Sequence, residues 1–321
     1  MPGSLIRDWR FWCLAVSWLL AVYVLTGPKI RQEQPVFRLI AIADITRSMN
    51  ATDYQIHGKA LSRLDFVKHS LQALAKKLPC QSELGLGVFT ERRSTLLFEP
   101  IEVCSGYNEI SAALEKLDWR MAWAADSRIA GGLLSTLEML PKSNAGLLFM
   151  TDGHEAPPPN PRYKPDFSGV RNKHKGMIVG VGGLARVAIP KFNAKGQLEG
   201  VYGPDDVPHR STFGESDLNP EAIQGYNARN APFGNETVIG EEHLTQLHET
   251  YLQQLSVEAG LGYHRLTDVD ALMQSLNTAG LAVTVRAESD QRWQPALAAL
   301  LLLALVYCPA WRLRRRFKIG N

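Results

Sequence analysis

Val36-Phe37-Arg38-Leu39-Ile40-Ala41-Ile42-Ala43-Asp44-Ile45-Thr46-Arg47-Ser48 is an apolar run that ends in a carboxylate followed by two hydroxyls at alternate positions. An apolar run without polar alternation is the pattern of a buried strand. Asp44, Thr46 and Ser48 leave that strand together, and alternate residues of a tight loop can point to one side. Oxygen donors of this kind suit a hard divalent cation such as Mg2+ far better than zinc or copper. The same residue types are also favoured where strands give way to helices, as caps. The motif alone supports either reading.

Further along, Ala145 to Met150 is another apolar run, and it ends in Thr151-Asp152-Gly153. In an open parallel sheet, ligands gather beyond the carboxyl ends of the strands where the connection order reverses, which would bring Asp44 and Asp152 to one crevice. Between the two runs, Ser127-Arg128-Ile129-Ala130-Gly131-Gly132-Leu133 opens an apolar-periodic helix with a hydroxyl residue. These three pieces, in this order, resemble the von Willebrand factor A (vWA) domain and its metal-ion-dependent adhesion site.

The resemblance covers roughly residues 36 to 280. In that family the site pattern is Asp-x-Ser-x-Ser, then a Thr on a separate loop, then an Asp after the fourth strand. The matching residues here are Asp44, Thr46, Ser48, Ser127 and Asp152. The chain departs twice, with Thr46 for the first Ser and Ser127 for the Thr, and both changes keep a hydroxyl oxygen. The resemblance implies a divalent cation, Mg2+ first with Ca2+ or Mn2+ as alternatives. It also implies binding rather than catalysis, with the acidic side chain of a partner protein completing the metal shell. The rival is a metal-assisted hydrolase, for which only His154 and Glu155, on the loop after Asp152, offer acid/base groups; they read more simply as a rim.

The chain has 321 residues, 45% of them apolar, enough for one full core with some membrane sequence besides. Residues 11–27 and 295–311 are expected to be membrane helices, although both are near the short limit for a span. Arg312, Arg314, Arg315, Arg316 and Lys318 crowd the carboxyl side of the second, which places a basic tail, 312–321, in the cytoplasm of a bacterial cell. Two spans return residues 1–10 to the same side and leave the vWA domain, 34–280, in the periplasm. Once Arg7, Arg10 and the tail are set aside, the domain is slightly acidic, so nucleic acid is not an expected partner.

The central region reads as strand 36–43, helix 64–78, hairpin 84–101, helix 107–117, helix 129–140, strand 145–150 and strand 176–182. This is an α/β fold, doubly wound, with a mostly parallel sheet and one antiparallel edge strand. If 84–101 is a hairpin, residues whose numbers sum to about 185 lie opposite, which sets Cys104 next to Cys80. A disulfide there fits an oxidising compartment, and two reduced cysteines that merely pack are the alternative. Residues 184–240 form a long polar insertion rich in Gly, Pro and Asn, expected as a loose flap with one hairpin near Ala194 to Gln197. A helix over 243–259, a short strand 263–266 and a final segment 269–276 close the domain.

Gly180-Val181-Gly182-Gly183 follows a strand but lacks the third glycine of a dinucleotide site. His243 and His248, placed on different faces of the expected helix, do not share a metal. Several segments carry a narrower likeness: Asp44 to Asn50, Leu78-Pro79-Cys80, Gly87 to Glu91, Val103-Cys104, Arg120 to Ala124, Thr151 to Pro158 and Tyr263 to Leu266. They are similar to the membrane-bound accessory vWA proteins of methanol-oxidation clusters, the MxaL type. That similarity implies maturation of a periplasmic quinoprotein dehydrogenase, including calcium insertion, beside sister vWA proteins and a MoxR-class AAA+ ATPase; the alternative is a general envelope adhesion or assembly module partnered with such an ATPase.

Overall fold

A computed structural model describes residues 8–27, 29–122, 127–140, 145–158, 164–193, 195–207 and 241–307. In chain order its elements are α1 (Trp9–Leu25), β1 (Lys29–Asp44), β2 (Tyr54–Ile56), β3 (Lys59–Leu61), α2 (Arg63–Lys77), β4 (Glu83–Thr90), β5 (Arg93–Glu102) and α3 (Tyr107–Lys116). There follow α4 (Ile129–Met139), β6 (Gly146–Thr151), β7 (Gly176–Gly180), β8 (Val187–Ala188), β9 (Pro190–Phe192), β10 (Leu198–Val201) and β11 (Leu244–Thr245). The chain closes with α5 (Glu249–Ala259), β12 (Gly262–Arg265), α6 (Val269–Thr278), β13 (Ala282–Asp290) and α7 (Trp293–Tyr307). Two units are distinguished, Pro35–Val283 and a second made of Met1–Gln34 with Thr284–Asn321.

The main sheet runs β12-β7-β6-β1-β4-β5, with β13 also pairing to β1. All neighbours along this path are parallel except β4 and β5. This is the doubly wound, mostly parallel vWA-like sheet with an antiparallel edge strand. Its central strand shows why the opening run carries no polar alternation. Phe37, Leu39, Ala41 and Ala43 face a core shared with α2, α3 and α6, while Ile40 and Ile42 face a second core shared with α4 and α5. With helices on both faces, both sides of β1 must be apolar. The buried stripes recur at helical spacing, Val67, Leu71 and Leu74 on α2 and Ile129, Leu133 and Leu137 on α4. Gly132 lets α4 approach the sheet, since a Cβ there would lie 2.0 Å from the Phe89 ring.

The chain leaves β1 for β4 on one side and later returns to β6 on the other. The connection order therefore reverses at β1, and the ends of β1 and β6 are neighbours through register pairs such as Ala43 with Met150. The residues that follow, Asp44 and Asp152, meet at that switch point.

The hairpin register begins as expected, Glu83 opposite Glu102 and Leu84 opposite Ile101, before two irregularities shift it. Cys80 and Cys104 form a disulfide with Cα atoms 5.3 Å apart. Closing a loop with a sequence separation of 24 restricts the unfolded chain, so removing it with Cys80→Ser and Cys104→Ser should cost about 3 kcal/mol. Urea unfolding of the double variant, compared with the parent before and after thiol reduction, measures this. An unchanged midpoint would show that the cross-link adds nothing.

Several expectations need correction. The helix expected over 243–259 starts at Glu249; the preceding residues hold β11, which pairs with β8, and His248 sits at the helix N-cap. His243 and His248 are therefore not on one helix. The short hairpin β2–β3 and strand β13 were not anticipated. Residues 187–193 and 195–207 of the insertion are built structure with a buried cluster of their own, Ile189, Tyr202 and Val207, and 194 and 208–240 lie outside the described residues.

In the second unit, α1 and α7 pack together, and the Ser17 hydroxyl donates to the Ala299 carbonyl at 3.1 Å. Among the described residues no helix is long and apolar enough to cross a membrane. α1 has 17 residues and α7 has 15, against about 20 for a full span. The end of the expected second span and the basic tail fall on 308–321, outside the described residues.

Candidate metal centre

The five oxygen-bearing residues singled out in the sequence come together. Asp44 is fully buried at the end of β1; its Oδ1 accepts from the Thr46 backbone N–H at 2.8 Å and its Oδ2 from the Thr151 hydroxyl at 2.6 Å. The loop then turns through a short 3-10 segment, Arg47–Asn50, which leaves the Thr46 and Ser48 hydroxyls 3.4 Å apart. Ser127 is carried in by a pair of backbone hydrogen bonds with Ala156, at 2.7 and 3.0 Å, so the loop before α4 is tied to the loop after β6. Thr46, Ser48 and Ser127 line one cavity of about 20 Å3. That is room for about one water-sized occupant.

The donor set fits a hard divalent cation. Among the described residues the buried Ser127 Oγ has no hydrogen-bond partner, and it lines the cavity that it shares with Thr46 and Ser48. A stranded hydroxyl costs about 1–3 kcal/mol, and a ligated ion would satisfy it. Burial, reinforced by the charge of Asp152, pushes the Asp44 carboxyl up to about 7 despite the Thr151 and Thr46 hydrogen bonds. Asp44 is thus a carboxylate held without a compensating positive charge of its own.

Asp152 is differently placed. Its Oδ1 accepts from the His154 backbone N–H at 2.9 Å, and its Oδ2 receives the Arg63 Nη1 at 2.6 Å and the Thr245 hydroxyl at 3.1 Å. Burial raises this carboxyl, but the Arg63 guanidinium, His154 and the hydrogen bonds from the His154 N–H and the Ser48 side chain together hold Asp152 below the usual carboxylate range. Arg63, with a fully buried side chain, also grips Asp53 through Nε and Nη2 at 2.7–3.1 Å. Gly182, at φ +121°, leaves space for that guanidinium: a Cβ there would lie 2.8 Å from Arg63 Nε. Two of the glycines that fail as a dinucleotide motif, Gly182 and Gly183, therefore serve this ion-pair cluster, the Gly183 N–H donating to Asp53 at 2.9 Å. Sequence reasoning missed Arg63. The available signal was a cation in the first turn of a helix, where the macrodipole disfavours it.

His154 and Glu155 do not form a free acid/base pair. The buried His154 ring places Nε2 3.0 Å from the Glu242 carbonyl, and burial lowers its proton affinity, so the neutral ring donates from Nε2. Glu155 Oε1 accepts from the Tyr251 hydroxyl at 2.6 Å and from the Ala130 N–H at 3.0 Å, where it caps α4. Burial raises its carboxyl. Both residues line an open pocket of about 390 Å3 with His248 and Tyr251, so they border the site while being committed to internal bonds.

One other group among the described residues has metal-like spacing, Cys80, Glu102 and Cys104. Its sulfurs are joined in the disulfide, and the Glu102 carboxylate is taken by the N–H groups of Gln81, Cys104 and Ser105. It is a capped turn, with no thiolate to offer.

Residues 39–154 match the family model of the von Willebrand factor type A domain. No match is found among curated proteins. Among solved structures, an aerotolerance-related membrane protein from Bacteroides fragilis NCTC 9343 aligns at 15% identity and TM-score 0.47, over 75% of this chain and 96% of its own. BatB from Bacteroides thetaiotaomicron aligns at 15% and 0.47, over 75% and 95%. An uncharacterised membrane-spanning protein from Vibrio fischeri aligns at 18% and 0.27, over 76% and 96%.

Proposed function

We propose that this chain is a membrane-anchored vWA domain that binds an acidic segment of a partner protein through a divalent cation, Mg2+ first. Asp44, Thr46, Ser48 and Ser127 would hold the cation, and Asp152 would orient the loops around it. The observation that carries this reading is the unpartnered Ser127 hydroxyl in a cavity shared with Thr46 and Ser48. Because three of the donors are neutral hydroxyls, a bound cation keeps charge to attract one more anionic oxygen. The residues do the rest: Thr151 and the Thr46 amide fix the Asp44 carboxylate, and the Ser127–Ala156 pair fixes the second loop.

The anchor in this reading is the α1–α7 pair. Its outer surfaces are apolar, with Trp12, Trp18 and Leu19 on one helix and Leu300, Leu301 and Tyr307 on the other all exposed. We place the domain in the periplasm of a bacterial cell, where the Cys80–Cys104 disulfide is stable. The narrower likeness to MxaL-type proteins makes the client a quinoprotein dehydrogenase, matured beside sister vWA proteins and a MoxR-class ATPase.

Capture of periplasmic proteins by the full chain in detergent tests the binding mode. Capture should vanish with EDTA and with Thr46→Ala or Ser127→Ala, and should persist in His154→Ala with Glu155→Gln. An identical captured set with and without EDTA would mean that the cation is not the contact.

A further inference from the structure

Residues 187–193 and 195–207 lie over the hydroxyl cluster, with Ile189, Tyr202 and Val207 lining the same cavity. Ile189, Tyr202 and Val207, buried against one another, close the top of the cavity whose floor is Thr46, Ser48 and Ser127. The Tyr202 ring lies between two cations, with the Arg47 guanidinium carbon 5.1 Å and the Lys191 ammonium 5.7 Å from its centroid. Its backbone N–H donates to the Ile189 carbonyl at 2.9 Å. Lys191 in turn pairs with Asp206 at 2.6 Å, and Phe192 packs on Trp119 at 5.9 Å between ring centroids. As a result Thr46, Ser48 and Ser127 are only 5%, 2% and 3% exposed. While this cover is in place, little of the three hydroxyl residues is open to a partner's carboxylate.

We propose that residues 187–193 and 195–207 form a lid that keeps the site closed until a partner displaces it. This rests on the cation-binding reading above and adds its regulation and the partner's chemistry. The lid is suited to opening because its apolar cluster is separate from both domain cores. Beyond the β8–β11 pairing at its root and the Ile189 N–H bond to the His243 carbonyl, its polar ties among the described residues are cation–π contacts and an ion pair that solvent reaches, weak against core packing. The segment that replaces it must carry an aromatic or long apolar side chain to take the Tyr202 position on Arg47, beside the carboxylate that reaches the cation.

Two measurements on the full chain in detergent test the lid, using Tyr202→Ala, Ile189→Ser and, as a control on the same hairpin, the exposed Leu198→Ala. Hydrogen exchange should speed up at least tenfold at the loop amides of Thr46 and Met49 in the first two variants, with α2 and α4 unchanged and the control like the parent. Mn2+, as the probe ion, should give about twice the water-proton relaxation per bound ion in the lid variants, because solvent then reaches it. Loop exchange within twofold of the parent in both lid variants overturns the lid. Raised exchange with no Mn2+ binding in any variant upholds the lid and removes the cation from beneath it.

Discussion

Arg63→Ala should lower the stability of the vWA unit by about 3–5 kcal/mol, the largest loss expected from any single polar substitution in this chain. The guanidinium is fully buried and bonded to two carboxylates, Asp152 at 2.6 Å and Asp53 at 2.7 Å. Removing it strands both acids. Arg63→Lys should recover only part of the loss, because a point charge cannot grip Asp53 through two nitrogens while reaching Asp152 and Thr245 with a third. Asp152→Asn placed on top of Arg63→Ala should restore about 1–2 kcal/mol, since one stranded charge is gone and the two changes are not additive. Equilibrium unfolding of the three variants in urea at pH 7.5 measures this. A single Arg63→Ala variant within 1 kcal/mol of the parent would show that Asp152 and Asp53 do not depend on this arginine.

The order of the elements was legible because burial on both faces leaves an unmistakable pattern. Ile40, Ile42, Leu147 and Leu148 are apolar for the same reason that they are fully buried. The meeting of Asp44 with Asp152 followed from strand polarity and the switch in connection order, and the disulfide from hairpin register alone. What stayed hidden depends on tertiary context. Leu244 and Leu247 have helical spacing with Tyr251 and Leu255, yet β11 is drawn into pairing with β8 and the helix starts at Glu249. Arg63 reads as an ordinary helix-surface cation until Asp53, Gly182 and Asp152, from three other segments, close around it. The lid was masked by composition: Gly, Pro and charged residues around Ile189, Tyr202 and Val207 look like a solvated loop, and three apolar side chains are too few to show a period.

Asp44→Asn should stabilise the cation-free protein at neutral pH while abolishing its response to Mg2+. Burial raises the Asp44 carboxyl from an ordinary 3.8 to about 7 in the folded state. Well below pH 3.8 the group is protonated whether the chain is folded or not, and it carries no penalty. As pH rises through the window between 3.8 and about 7, the unfolded chain releases this proton and the folded one retains it. Stability therefore falls by about 1.4 kcal/mol for each pH unit, or about 4 kcal/mol across the window. Asparagine does not ionise, so the variant lacks this slope and should exceed the parent by about 2 kcal/mol at pH 7.5 in EDTA, after allowing for a poorer hydrogen bond with Thr151. With Mg2+ at a hundred times its dissociation constant the parent should gain about 2.7 kcal/mol and the variant nothing. Thermal unfolding of both proteins at pH 4 and pH 7.5, with EDTA or Mg2+, gives all the comparisons. A variant less stable than the parent in EDTA at pH 7.5 would mean that Asp44 is already compensated in the folded chain. The charge deficit that makes it a cation ligand would then be absent.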